Sequence, residues 1–325
     1  MQDSLVQTQE PLRDQVATTL ISGVRMRLGD YAWCYLFILP FVIFFLAFSI
    51  WPLVSTIGIS LFNYNGIGPM EEYVGLSNYD FVLHDQTFIR SFINTVVFAA
   101  LQTTIKLPIA LLLAIILTRS WLKIRVLFRT VFFMPLLVPG AIVGMVFVFL
   151  LNPANGAIND LLQQWSLIQR SIDFISSRWT GMSTIAAVSA WNVIGQYVVY
   201  WMAALQNVPE EVYEAAEIDG ANEWQKLIRV TLPIIRPMAI IITFLGFVNA
   251  LHIFDLVLVM TGGGPGSQTF VMAYYIYTRA FTARPSHYGR ASAAAVVFGF
   301  VMLIAFAIQG YFVNRAQRER HDFET

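Results

Sequence analysis

The 325-residue chain contains one cysteine, Cys34. A lone thiol closes no intrachain disulfide, so no disulfide framework organises the fold and cysteine usage carries no information on redox compartment. Charge is also scarce. Only 12% of residues are Asp, Glu, Lys or Arg, about half the share of an ordinary soluble domain. The twenty basic and twenty acidic residues cancel, which leaves no bulk charge for nucleic acid. The four histidines, His84, His252, His287 and His321, are scattered and show no His-Glu-x-x-His spacing, so a metal site has little support. No glycine is followed by lysine, so no Walker-type loop cradles ATP phosphates. No serine or cysteine sits in a nucleophile setting. The expectation is a chain with no catalytic set, no metal and no cofactor of its own.

Apolar residues are abundant instead, at 57% of the sequence with a mean hydropathy of +0.63. A soluble protein of this size needs more polar surface than that. A bilayer core takes about 20 apolar residues in a helix. Six segments reach that length, at 33–57, 91–117, 131–151, 181–205, 237–260 and 291–313. The first apolar stretch, 31–62, is too long for a removable signal and reads as a retained span. The expected fold is therefore an all-α polytopic membrane protein with six transmembrane helices. Lysine and arginine set its orientation. With the N-terminus cytoplasmic, the inner segments hold thirteen of them and the outer segments six, with Lys106 inside a span. Both termini are then cytoplasmic. The layout is an N-terminal arm at 1–30, a first helix and outer segment at 31–90, a five-helix core at 91–313 and a tail at 314–325.

Ionisable and amide side chains inside spans are functional candidates. Lys106 lies mid-span, with Gln102 and Thr103 one turn away on the same side. It faces either the solute pathway or a structural partner. In the fourth span Asn192, Gln196 and Tyr200 share one helix face. Such a face suits sugar hydroxyls and apolar ring faces; it equally suits hydrogen bonding between helices. The fifth span adds Asn249 and His252 one turn apart, with Asp255 near its outer end. Depth places Lys106 and Asp255 roughly 10 Å apart, which disfavours direct pairing unless a helix tilts or breaks.

The inner loop between the fourth and fifth spans, 207–233, reads as a short helix, a sharp turn and a second short helix. Pro209, Glu210 and Glu211 suit a helix start. Gly220 suits a left-handed C-terminus, Asn222 an N-cap, and Pro233 a stop. Helices this short are not stable alone. They rest either on the chain's own membrane ends or in a groove of a partner.

Within that loop Glu214-Ala215-Ala216, then Asp219-Gly220-Ala221, then Leu232-Pro233 and Pro237 closely resemble the EAA loop of binding-protein-dependent ABC importer permeases. Trp224 and Leu227 stand where phenylalanine is common in that family, and both keep the apolar character. The resemblance extends over 31–313. Gly75-Leu76-Ser77-Asn78-Tyr79, Asn94-Thr95, Thr261-Gly262-Gly263-Gly264-Pro265 and Tyr288-Gly289-Arg290-Ala291-Ser292-Ala293 are similar to elements of its sugar branch, in particular the first permease of the pair. The resemblance implies a type I importer core in the bacterial inner membrane. It also implies a second permease, two copies of a nucleotide-binding ATPase subunit holding ATP and Mg, and an extracytoplasmic binding protein. Glu214, Ala215, Ala216, Asp219, Gly220, Leu232 and Pro233 would couple to the ATPase. Lys106, Asn192, Gln196, Tyr200, Asn249 and His252 are the pathway candidates. The rival is a secondary transporter driven by an ion gradient, which needs coupled ionisable groups or broken helices at mid-membrane.

Overall fold

A computed structural model describes residues 28–70, 72–118 and 125–324. The expected N-terminal arm and the basic stretch 119–124 lie outside these residues, apart from 28–30. The chain divides into two units, residues 1–55 and 56–325. The first carries α1 (Leu28–Phe45), a π-helical turn (Leu46–Ile50) and the start of α2 (Trp51–Ile59). Trp33–Ile59 has the length and apolarity of a span, with a mean hydropathy of 2.5. Large apolar side chains such as Phe37, Phe41 and Phe48 are exposed around it, as a helix solvated by lipid requires. Its π turn immediately precedes Pro52. Proline has no N–H and clashes with the carbonyl four residues earlier. Widening the turn, so that the Trp51 amide donates to the Leu46 carbonyl, absorbs that misfit.

In the second unit α3 (Ser77–His84) leads into α4 (Gln86–Thr118), then α5 (Arg125–Phe133) and, after a 3-10 turn at Met134–Leu137, α6 (Gly140–Leu150). There follow α7 (Ala157–Gln164), α8 (Arg178–Leu205), α9 (Glu210–Ile218), α10 (Glu223–Lys226) and, after a π turn at Leu227–Thr231, α11 (Leu232–Ala250). The chain finishes with α12 (Asp255–Met260), α13 (Met272–Tyr277), a π turn at Thr278–Thr282 and α14 (Tyr288–Glu324). The long helices α4 and α8 form the centre and pack along their lengths. At one end Leu117, Trp201, Val208 and Ile235 share a buried cluster beside the α9–α10 hairpin. At the far end Phe98, Met182, Val248 and Val257 form another.

Among the described residues four helices are long and apolar enough to cross a bilayer: Trp33–Ile59, Gln86–Thr118, Glu223–Ala250 and Tyr288–Asn314. The expected third span is not one helix. Leu127–Leu137 and Gly140–Leu150 meet at 97°, where Pro135 and Pro139 remove donors and restrict the residues before them. The expected fifth span is also displaced. It ends at Ala250 and resumes as the six-residue α12, and its start lies back at Glu223. Pro233 does not stop the hairpin's second helix as expected, because the π turn lets the Leu232 amide reach the Leu227 carbonyl and carries the helix past it. The fourth expected span is α8, whose 28 residues reach about 42 Å. Polar side chains interrupt its apolar run, and it is not among the four apolar helices.

Side-chain amides hold the far end together. Asn78 donates to the carbonyls of Ser60 and Phe62, both at 2.9 Å, and Tyr79 meets Ser60 Oγ at 2.6 Å. Asn94 donates to the carbonyls of Gln268 and Phe270 at 2.8 Å and accepts from Arg178 Nε at 2.9 Å. The Thr95 hydroxyl accepts from the Met272 amide. Thus Asn94 and Thr95 fasten the segment that follows the glycine run. Gly263 has φ +76°, and a Cβ there would lie 2.2 Å from the Phe270 ring, so glycine is required twice over. Asp85 accepts from the Tyr275 hydroxyl and Arg279 Nη2 at 2.7 and 2.6 Å. Burial works against its ionisation, but the Tyr275 hydroxyl, the Thr87 amide and the Arg279 guanidinium outweigh it and hold the carboxyl below its usual range. Burial and the carboxylate push the Tyr275 hydroxyl up.

Candidate functional site

Between α4, α8, α11 and the two helix breaks lies a cavity of about 310 Å³. Lys106, Asn192, Gln196, Asn249 and His252 all line it, so the fold gathers five of the six pathway candidates. Tyr200 is not in the lining; its hydroxyl accepts from Gln196 Nε2 at 2.7 Å. Asp255 also lines the cavity, brought inward by the break before α12.

Lys106 is 1% exposed. Its Nζ donates to Gln102 Oε1 at 2.9 Å and to the Gly246 carbonyl at 3.0 Å, and lies 4.2 Å from the Tyr197 ring centroid. All three partners are neutral, and the ring face adds a cation–π attraction to the two hydrogen bonds. Glycine at 246 makes room: a Cβ there would lie 3.2 Å from both Lys106 Cε and the Tyr197 ring. Gln102 Nε2 in turn donates to Ser189 Oγ at 2.7 Å. Lys106 therefore braces α4 to α11, and Gln102 extends the brace to α8. Thr103, expected beside it, finds no partner for its hydroxyl.

Asn192 turns part of its amide to the neighbouring break. Its Nδ2 donates to the Pro135 carbonyl at 2.6 Å and also approaches that of Val138, at 3.4 Å. Both carbonyls lie at the break, where the Pro135 carbonyl also accepts from the Val138 amide at 3.1 Å. At Gly195 the two elements touch: a Cβ would fall 2.4 Å from the Phe132 carbonyl oxygen. Asn249 reaches the Tyr197 hydroxyl at 3.5 Å, and His252 Nδ1 lies 3.2 Å from the Val248 carbonyl. Sequence reasoning missed Ser189 and Tyr197 as lining residues, and it missed the breaks. Pro135 and Pro139 were the available signal for the first of them. The cavity offers amides, hydroxyls, an imidazole, one ammonium, one carboxylate and the rings of Phe98 and Phe254. This mixture can solvate a polar solute and contains no nucleophile paired with a base. Among the described residues no group of three or more His, Cys, Asp and Glu side chains is placed to hold a metal.

The hairpin is braced by its own contacts although its helices are short. The Ala221 amide donates to the Ala216 carbonyl and the Gly220 amide to that of Glu217. This is the Schellman pattern, which places Gly220 at φ +77°. Asn222 and Gln225 cap α10 reciprocally. Lys226 ties the two helices together, pairing with Glu217 at 2.8 Å and with Glu223. Tyr213 OH meets Thr231 Oγ1 at 2.8 Å. Glu214, Ala215, Asp219 and Gly220 are exposed, as are Leu232 and Pro233, while Ala216 is half-buried. Ile218 and Trp224 are 87% and 68% exposed. The tip is thus apolar and open.

A helical membrane protein with a polar cavity between its helices and a braced, apolar-tipped hairpin at one end has the parts of a transport subunit. Residues 106–318 match the family described as binding-protein-dependent transport system inner membrane component, and the chain belongs to that family. It is 31% identical to a probable ABC transporter permease protein, YurN, of Bacillus subtilis, over 88% of this chain and 97% of the relative. It is 33% identical to the arabinooligosaccharides transport system permease protein AraP of Halalkalibacterium halodurans, over 84% of each chain. The lactose transport system permease protein LacF of Rhizobium radiobacter is 29% identical over 94% of this chain and all of the relative. The fold is shared with a chain of a bacterial alginate ABC transporter crystallised with an alginate pentasaccharide-bound periplasmic protein. That match has a TM-score of 0.75 at 23% identity and covers 88% of this chain and 95% of that one.

Proposed function

We propose that this chain is one of two permease subunits of an ATP-binding-cassette importer for a sugar or related carbohydrate. The observation that carries the proposal is the physical connection between an exposed hairpin and a polar cavity. Helix α10 runs through a π turn into α11, and α11 carries Gly246, Asn249 and the break at the cavity. A push on α9 therefore reaches the cavity wall through the Lys226–Glu217 and Tyr213–Thr231 contacts and the continuous α10–α11 element.

On this reading Glu214, Ala215, Ala216, Asp219, Gly220, Leu232 and Pro233 form the cytoplasmic coupling surface. Ile218 and Trp224 seat the tip in a cleft of an ATPase subunit. ATP and Mg belong to that partner, two copies of which serve the pair of permeases, and an extracytoplasmic binding protein delivers the solute. The chain is not itself an enzyme. It crosses the inner membrane six times, counting α8 and the bent α5–α6 pair as spans, with both termini cytoplasmic. The core is 91–313. Carbohydrate is favoured because relatives are named for arabinooligosaccharides, lactose and starch degradation products and because the cavity pairs amides with aromatic rings. Membership of the binding-protein-dependent family leaves the ion-gradient mechanism without support.

The test is a mild-detergent pull-down of the full chain from its host, with partners identified by mass spectrometry. A P-loop ATPase and a second permease are expected. Reproducible recovery of the folded chain alone would overturn the proposal.

A further inference from the structure

A row of aromatic rings leads from the far end of the protein to the cavity. Phe254 lines the cavity in the break before α12. Its ring is 5.3 Å from that of Tyr277, which is 5.6 Å from Phe281. Phe281 is 5.7 Å from Tyr288, and Tyr288 is 6.2 Å from Tyr64. The first two links follow from the helix irregularities. Tyr277 and Phe281 are four residues apart across a π turn and project on one side, while the helix break frees Phe254 to meet them.

The exposure pattern is unusual for a packing cluster. Phe281 is 64% exposed, and Phe254, Tyr277, Tyr288 and Tyr64 are each partly exposed. The neighbouring Tyr274 and Tyr275, by contrast, are buried and bonded to the Gly262 carbonyl and to Asp85. Tyr274 lies 6.4 Å from Phe254 and 6.2 Å from Tyr277, so a buried aromatic layer that holds the far end together backs a more open row that reaches the cavity.

We infer that Phe254, Tyr277, Phe281 and Tyr288 form an aromatic track that receives a carbohydrate at the far end and passes it to the cavity. The solute chemistry follows from the lining. A sugar ring presents an apolar face of C–H groups that stacks on an aromatic ring, while its hydroxyls remain in water. Each contact is weak and non-directional, so a sugar can move from ring to ring without being trapped, whereas the amides of Asn192, Gln196 and Asn249 wait at the inner end. The inference rests on the carbohydrate reading above and adds the route of entry to it.

The experiment is uptake of radiolabelled lactose, arabinotriose and maltotriose by the complete complex carrying Phe281→Leu, Tyr277→Leu or Phe281→Trp. Leucine keeps the apolar bulk and removes the ring face; tryptophan keeps the face. Both leucine variants are expected to raise the half-saturating concentration about two- to tenfold. Maximal ATP hydrolysis and subunit assembly should be unchanged, and Phe281→Trp should match the unaltered chain. Leucine variants with unaltered half-saturation would overturn the track and leave the importer reading intact. Loss of assembly in the leucine variants would reduce the row to packing and overturn the track as well. An unaltered complex that takes up none of the three sugars would overturn the carbohydrate reading itself, and the track with it.

Discussion

Replacing Lys106 and Gln102 singly and together separates bracing from solute contact at the centre of the cavity. Lys106→Met keeps the length of the side chain and removes the ammonium, so Gln102 Oε1 loses its donor. An orphaned buried acceptor costs about 1–3 kcal/mol, and a hydrogen bond to a charged group is worth about 1.5–3 kcal/mol. Against this, removing a buried cation that has no carboxylate partner recovers part of its desolvation penalty. The net sign of either single change therefore mixes opposing contributions. The coupling between them does not, because the double variant Gln102→Leu, Lys106→Met removes donor and acceptor together. The double variant should be milder than the sum of the singles by about 1.5–3 kcal/mol. Equilibrium unfolding of the purified complex in mixed micelles reads this directly. Additivity within about 0.5 kcal/mol would refute the brace. Uptake supplies the second readout. If Lys106 only braces, transport follows stability across the set; a double variant with recovered stability and abolished uptake would place the ammonium on the solute.

Three further outcomes follow from the geometry. Gly195→Ala sets a methyl group 2.4 Å from a backbone oxygen of Phe132, and should destabilise by about 1–3 kcal/mol and loosen the bend; an unchanged melting temperature would contradict the close contact. Gly220→Pro cannot adopt φ +77° and should abolish uptake while membrane insertion persists, measured by fractionation and transport; full uptake would remove the coupling role. The Asp85 carboxyl is held below its ordinary value of 3.8, so its stabilisation is present above that value and is lost as pH falls through the depressed one. The stability difference between the unaltered chain and Asp85→Asn should therefore be level near neutrality and shrink below about pH 4, and a difference constant down to pH 2 would refute it.

Much of the architecture was written in local residue patterns. The hairpin was legible because Gly220, Asn222 and the prolines act within a few residues of themselves, and each does in the fold what its chemistry suggests, except Pro233. That proline failed as a stop because a π turn, which no propensity signals, took up its missing donor. The breaks were illegible for a related reason. Hydropathy windows average over Pro135, Pro139 and the stretch after Ala250, and the carbonyls that Asn192 satisfies come from a different span. Lys106 stood out by type alone, but its partners did not. Gly246 lies 140 residues away, and a glycine carbonyl leaves no mark on a sequence. The far-end motifs showed the reverse situation: family resemblance picked out Asn78, Asn94 and Thr95, and only the fold explains them as staples.

The staple at Asn94 and Thr95 also constrains the order in which the protein is made. Their partners at Gln268, Phe270 and Met272 lie 174 to 177 residues downstream. At ribosomal rates that separation corresponds to about 10–35 s of synthesis. Throughout that interval the Asn94 Nδ2 group waits for its two acceptors, and the Thr95 hydroxyl, which donates to the Ser91 carbonyl within α4, waits for its donor. Arg178 emerges first and can engage Asn94, and Ser189 follows to engage Gln102, so α8 is the earliest shelter available to α4. A nascent chain halted before residue 268 would hold an α4 that is apolar enough to insert but is not yet fastened at its far end, and that fastening waits for the last fifth of the protein.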